Sequence, residues 1–146
     1  MLNKVKSIKV LNIIFGVLKK RIELKLLKYN KKIMYKLNIK KEDFEQFISL
    51  KEMNLKFNLD IKDIDIKELN LENKNLDNNI IEYLANIKFN KLKILNFEKN
   101  KISDIIGLEK VKFEKLELLN LKENKISDKR IISKLKSRKK YFYVKQ

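Results

Sequence analysis

Three aspartates lie close together near the middle of the chain, and carboxylates at such spacing could bind a divalent cation. They are Asp60, Asp63 and Asp65, in the pattern D-x-x-D-x-D. The segment lacks the glycine and the terminal glutamate of an EF-hand loop, so it does not predict a calcium site. An isoleucine follows each aspartate directly, which is typical of a half-buried approach to a strand.

The residue types that most often carry out catalysis are missing from the sequence. The 146 residues include no histidine and no cysteine, so the six serines have no imidazole to activate them, and thiolate nucleophiles and thiolate zinc sites are excluded. Gly16 and Gly107 are the only glycines, which excludes a glycine-rich phosphate loop. We predict no enzymatic activity, no catalytic or metal-binding residue and no cofactor.

The positive charge of the chain is concentrated at its two ends. The 36 basic residues exceed the 19 acidic ones and give a net charge of +17. Residues 1–42 carry +11 and residues 129–146 carry +8, whereas residues 43–128 carry −2. These ends could attract nucleic acid or an anionic membrane surface, and we keep this as an alternative function in which the contacts are not specific.

The sequence predicts no transmembrane segment. Its longest largely apolar run, Val10–Leu18, has nine residues, whereas a membrane-spanning helix needs about 20. We expect the protein in the cytoplasm or the nucleus.

A repeated pattern occupies the second part of the chain. Residues 92–104 and 116–128 align without gaps, and both fit L-x-x-L-x-L-x-x-N-x-L with Phe or Ile allowed for Leu. A related segment, 66–76, precedes them by a similar interval, and residues 141–146 begin a fourth copy. The copies thus start at regular intervals, at Ile66, Leu92, Leu116 and Tyr141. The pattern resembles the leucine-rich repeats of intracellular proteins.

This resemblance implies an α/β fold, a short leucine-rich-repeat solenoid with parallel strands on its concave face and helical returns, over residues 49–146. Within a copy, Leu95 and Phe97 alternate and would face the interior. Asn100 and Asn124 fall where the chain turns and could satisfy backbone groups there. Residues 78–87 and 104–111 have the spacing of short helical returns. Residues 50–58 also fit the template, and we interpret them as an entry strand or a degenerate cap.

The alternation also predicts which side chains face outward. Proteins with such repeats bind macromolecules on the strand face and rarely catalyse reactions, so the resemblance implies a protein-interaction module, although the sequence does not name its partner. Three asparagines in register would form a polar row, beside a small apolar pair. The predicted partner-binding residues on the concave face are Glu68, Asn70, Glu72, Ile94, Asn96, Glu98, Leu118, Asn120 and Lys122.

Residues 1–48 are predicted to form a basic helical segment of three helices, the third around residues 44–48. Residues 14–18, followed by Leu24–Leu27 and Leu37, resemble the start of an F-box. That resemblance implies a substrate adaptor of a cullin-type ubiquitin ligase, which would dock the linker subunit through Ile14, Phe15 and Leu18. The other interpretation is a helical cap that covers the open end of the repeats.

Overall fold

The computed structural model describes residues 40–111, 113–137 and 143–145. The chain divides into two compact units, Met1–Asp63 and Ile64–Gln146. We describe each unit separately.

The described part of the first unit contains one long helix, α1, which spans Lys41–Phe57. Its buried residues recur at the three- and four-residue spacing of one helix face. The acidic residues Glu42 and Asp43 lie in the first turn, where a negative charge interacts favourably with the positive end of the helix dipole. Asn58 ends the helix in the left-handed conformation, with φ 51° and ψ 45°. The buried residues are Asp43, Gln46, Phe47, Leu50, Met53 and Asn54.

Helix α1 continues through the segment that the sequence predicted as an entry strand or degenerate cap. That prediction was wrong for a strand, because residues 50–57 are helical. Leu50 and Met53 fit both the repeat template and the helical spacing, but the template would also bury Leu55, which is 43% exposed. Asn58 caps the helix where the template places an asparagine of a turn. The helix spans the boundary that the sequence predicts between residues 48 and 49, and the two units divide after Asp63.

The second unit contains a four-stranded parallel sheet in which strands adjacent in sequence are adjacent in space. The middle residues of the first three strands, Leu69, Leu95 and Leu119, pair in register and are buried. The mixed α/β class predicted from the sequence is confirmed. The strand register follows the sequence repeat, since each strand begins at the third residue of its copy. The strands are β1 (Glu68–Asn70), β2 (Ile94–Asn96), β3 (Leu118–Asn120) and β4 (Tyr143–Lys145).

Short helical segments connect the strands, as the sequence predicted for the first two connections. They are α2 (Asn79–Ala85), a 3₁₀-helix (Ile106–Glu109) and α3 (Lys129–Ser137). An aspartate lies before each one, and its Oδ1 accepts a hydrogen bond from the backbone N–H two residues further on, over 2.8–3.0 Å. These aspartates, Asp77, Asp104 and Asp128, satisfy amide groups that would otherwise be unpaired at the start of each helix. Among the described residues, no helix is long and apolar enough to cross a membrane.

Asn100 holds the turn that follows β1, although it belongs to the next copy of the repeat. Its side chain is nearly buried, with 6% exposed. Asn124 repeats the arrangement one copy later: its Oδ1 accepts from the Ile102 N–H and its Nδ2 donates to the Phe97 carbonyl. Asn100 accepts hydrogen bonds from the N–H groups of Lys74 (3.1 Å) and Leu76 (2.9 Å), and donates to the carbonyls of Leu71 (2.8 Å), Phe97 (2.8 Å) and Glu98 (3.1 Å).

This arrangement explains why the first copy has Lys74, an exposed lysine, where later copies have an asparagine. Each amide serves the turn of the preceding copy as well as its own. Among the described residues of the second unit no strand precedes β1. An asparagine at position 74 would therefore have no earlier turn to bind there.

Gly107 allows the 3₁₀-helix to lie directly against α2. Its φ angle is not positive, so the glycine is required for space rather than for backbone conformation. A Cβ atom at this position would lie 2.8 Å from Cγ2 of Ile81, and Ile81 is buried with 3% of its surface exposed. The two connections therefore pack more closely than a larger residue would permit.

We predict that Asn100→Leu lowers the free energy of unfolding by about 3 kcal/mol or more, because it leaves several buried backbone groups without partners. Urea denaturation measures the change. Asn86→Ala is the control, because Asn86 is exposed and its side chain makes one hydrogen bond, to the Glu82 carbonyl; it should cost less than about 1 kcal/mol. An Asn100→Leu variant as stable as Asn86→Ala would contradict the role of the amide.

We also predict that Gly107→Ala destabilises the chain by about 1–3 kcal/mol, because the new methyl group overpacks against Ile81. In an Ile81→Ala background the same change should cost little, since the contacting atom is gone. A double-mutant cycle by urea denaturation measures this coupling. Equal costs in the two backgrounds would show that Ile81 is not the obstacle.

Candidate functional site

The predicted partner-binding residues form three rows across the outward side of the sheet, which we call the strand face. The backbone register pairs Glu68 with Ile94 and Ile94 with Leu118, and it pairs Asn70 with Asn96 and Asn96 with Asn120. Glu72, Glu98 and Lys122 follow two residues after the asparagines and form the third row. The register of the rows is the one that the sequence predicted.

The asparagine row is largely occupied by its own hydrogen bonds. Asn96 Nδ2 donates to Asn70 Oδ1 over 3.1 Å, as expected for a polar row. Asn120, which is 8% exposed, instead donates to Glu98 Oε2 over 2.7 Å. Each asparagine Oδ1 also accepts a backbone N–H two residues on, from Glu72 (3.0 Å), Glu98 (3.0 Å) and Lys122 (3.2 Å). The asparagine side chains therefore hold the backbone at the ends of the strands, and few of their polar groups remain available to a partner.

The two carboxylates of the third row, Glu72 and Glu98, are paired with Lys99. Lys99 Nζ lies 3.0 Å from Glu72 Oε1 and 3.7 Å from Glu98 Oε1. The hydrogen bond to Glu72, and then the negative charges of Glu72, Glu98 and Glu123, raise the pKa of Lys99 above its ordinary value. Lys99 therefore compensates both strand-face carboxylates, Glu72 and Glu98.

The first row combines a carboxylate with an apolar pair. Glu68 is exposed, and Ile94 and Leu118 are half-buried neighbours on adjacent strands, about 4.8 Å apart. This apolar pair distinguishes the first row from the two polar rows of the strand face. Strand β4 places residue 143 beside Leu118 in the same row of the backbone register.

The sequence interpretation missed three charged residues that border these rows. Lys99 has a φ of 56°, and this left-handed turn directs its side chain back toward the face. Lys93 Nζ lies 2.6 Å from Glu117 Oε1 at the start of the neighbouring strands. Lys93 and Glu117 are each the second residue of a copy, so an alignment of the copies places these opposite charges on neighbouring strands and could have predicted the pair. The left-handed turn at Lys99 recurs at the same position of the neighbouring copies, at Asn73 and Glu123, but lysine and glutamate do not themselves indicate that conformation in the sequence.

Arg130 and Lys134, two cations of the C-terminal basic segment, are held by carboxylates. Arg130 donates to Asp128 through Nε (3.0 Å) and Nη2 (2.9 Å), and this pairing raises the pKa of Arg130 and lowers the pKa of Asp128. Lys134 Nζ lies 3.0 Å from Glu109 Oε2. These contacts reduce the charge that α3 offers to a polyanion.

Two of the three aspartates of the D-x-x-D-x-D segment pair with lysines, and the proposed docking residues lie outside the described chain. Asp60 pairs with Lys62 over 3.3 Å, and Asp65 with Lys91 over 3.6 Å. Within the described ranges, no group of three or more carboxylate, histidine or cysteine side chains is arranged to hold a metal ion. The proposed docking residues Ile14, Phe15 and Leu18 belong to residues 1–39, outside the described part, and their role stays a prediction.

Comparisons with family models, curated proteins and solved structures found no match for the chain.

We predict that Glu72→Gln lowers the pKa of Lys99 toward its ordinary value, because it removes the hydrogen-bonded carboxylate and its charge. An NMR titration of the lysine Nζ resonances measures the shift. Glu114→Gln is the matched control, since Glu114 is also exposed and makes no contact with Lys99 among the described residues. A Lys99 pKa that responds equally to both changes would exclude a specific pair with Glu72.

Proposed function

We propose that the second unit is a short leucine-rich-repeat solenoid that acts as a non-enzymatic protein-interaction module and binds its partner on the strand face. The order of the parallel strands and their repeat spacing support the solenoid. So does the exchange of asparagine hydrogen bonds between successive copies, since each copy then completes the turn of its neighbour. In this proposal the strand face is the concave side.

The apolar pair formed by Ile94 and Leu118 is the observation that carries the binding role. The other rows of the strand face are polar, and their groups already bond to one another. Burying the apolar pair would stabilise a complex by about 25 cal/mol for each Å² removed from water. A partner would therefore obtain most of its affinity from the first row.

The small size of the strand face limits the kind of complex that it can form. Three strands span about 10 Å across the sheet, and the rows from Glu68 to Glu72 span about 13 Å along a strand. A standard interface buries roughly 800 Å² per partner. We therefore propose binding of a short segment of a partner protein, with modest affinity, rather than of a whole folded domain.

The absence of enzymatic activity is part of the proposal and is supported by composition. The sequence has neither histidine nor cysteine, which removes the usual general base and the usual thiol nucleophile. The strand-face carboxylates Glu72 and Glu98 are engaged by Lys99, which leaves them poorly suited to act as an acid–base pair.

We predict that the double variant Ile94→Thr/Leu118→Thr loses the partners that the unmodified protein captures from native lysate, with recovery falling at least about tenfold. Threonine, like isoleucine, has the β-branched shape that suits a strand, and it removes much of the apolar surface at both positions. Quantitative mass spectrometry of the captured proteins measures recovery, and thermal melting verifies that the variant is folded.

Ile106→Ser is the matched control for this experiment. Ile106 is 58% exposed and lies in the 3₁₀-helix, outside the strand face. This variant should capture the same partners as the unmodified protein. Partners retained equally by the double variant would contradict binding on the strand face.

A further inference from the structure

Glu68 differs from Glu72 and Glu98, the other carboxylates of the strand face, because it has no cation within ion-pair distance among the described residues. Glu72 and Glu98 pair with Lys99, and Glu117 pairs with Lys93. Glu68 lies at the edge strand β1, exposed to solvent. The first row therefore begins with an available negative charge and continues with two apolar side chains.

The spacing of this row matches the side-chain spacing of an extended peptide. Adjacent strands lie about 4.8 Å apart, so the centre of the Ile94–Leu118 pair is about 7 Å from Glu68. Alternate side chains of an extended segment, which point to one side, are also about 7 Å apart. A segment that crosses the strands could thus place one residue against Glu68 and the second next residue between Ile94 and Leu118.

We propose that the strand face binds an extended protein segment that carries a lysine or arginine and, two positions away, a large apolar residue. The basic side chain contacts Glu68, and the apolar side chain packs on Ile94 and Leu118. A further residue two positions on would reach β4 at register position 143. This inference rests on the proposed function and specifies the chemistry of its partner.

The charges of the strand face favour a protein segment over a nucleic acid. The carboxylate of Glu68 would repel the phosphates of a nucleic acid, because no described cation is paired with it. A membrane surface would need an apolar area far larger than one pair of side chains. The combination of one carboxylate and one apolar pair instead suits a linear segment, in which successive side chains differ in character.

Selection from phage-displayed random heptapeptides tests the proposal. The unmodified protein should enrich sequences with Lys or Arg at one position and a large apolar residue two positions away. Glu68→Lys should enrich Asp or Glu at the first position and keep the apolar preference. Glu114→Lys is the control, an exposed glutamate in the turn before β3, and it should select the same sequences as the unmodified protein.

Synthetic peptides taken from the selections give the quantitative result by fluorescence polarisation. Exchanging the basic residue for glutamate should weaken binding to the unmodified protein about fivefold, which is the size expected of an exposed ion pair. The Glu68→Lys variant should reverse the preference. Equal affinities for both peptides, or a preference that Glu68→Lys does not reverse, would overturn the inference.

The outcomes separate the failure of this inference from the failure of the proposed function. If peptides are selected without a basic residue, and Ile94→Thr/Leu118→Thr abolishes their binding, the strand face binds segments but the inference is wrong. If no peptide is enriched, both are overturned.

Two further measurements test other occupants of the strand face. If sedimentation shows that the protein self-associates and Glu68→Lys abolishes the association, the face binds a second copy of the chain. Strand-face amide shifts on adding oligothymidylate would assign it to nucleic acid. Either result overturns the inference.

Discussion

Satisfaction of backbone hydrogen bonds in the turns after the strands is the constraint on which the second unit depends. These turns carry N–H and C=O groups that are removed from water, and unpaired groups of this kind are costly. Asn100 and Asn124 supply the missing partners from the next copy. The turn of one copy therefore has all of its hydrogen bonds only when the next copy lies in register. The stability of the turns thus depends on the spacing of the strands.

The same register determines the composition of the strand face. Once Leu69, Leu95 and Leu119 are buried in one row, the residues on either side of them must point outward. Charges of opposite sign then meet across neighbouring strands, as Lys93 meets Glu117 and Lys99 meets Glu72.

The parts of the structure that follow the repeat spacing could be predicted from the sequence, and the parts set by local backbone geometry could not. The register of Glu68, Ile94 and Leu118 follows directly, because each is the third residue of its copy. The sequence predicts the first part of α1, as a helix around residues 44–48, but not its continuation to Phe57, because Leu50 and Met53 satisfy strand and helix templates equally and the exposure of Leu55 distinguishes the two. The position of Lys99 depends on a left-handed turn that no residue type in the motif requires.

That turn connects stability to recognition. A non-glycine residue in the left-handed conformation costs about 1–2 kcal/mol, and Lys99 and Glu123 both adopt it, with φ of 56° and 53°. Glycine would adopt the turn more easily, but it could not neutralise Glu72 and Glu98 as Lys99 does. Because Lys99 occupies those two carboxylates, Glu68 is the carboxylate without a paired cation among the described residues of the strand face. Lys99, which adopts the strained left-handed conformation, thus also leaves Glu68, at the β1 edge and next to the apolar pair, as the carboxylate that a partner can contact.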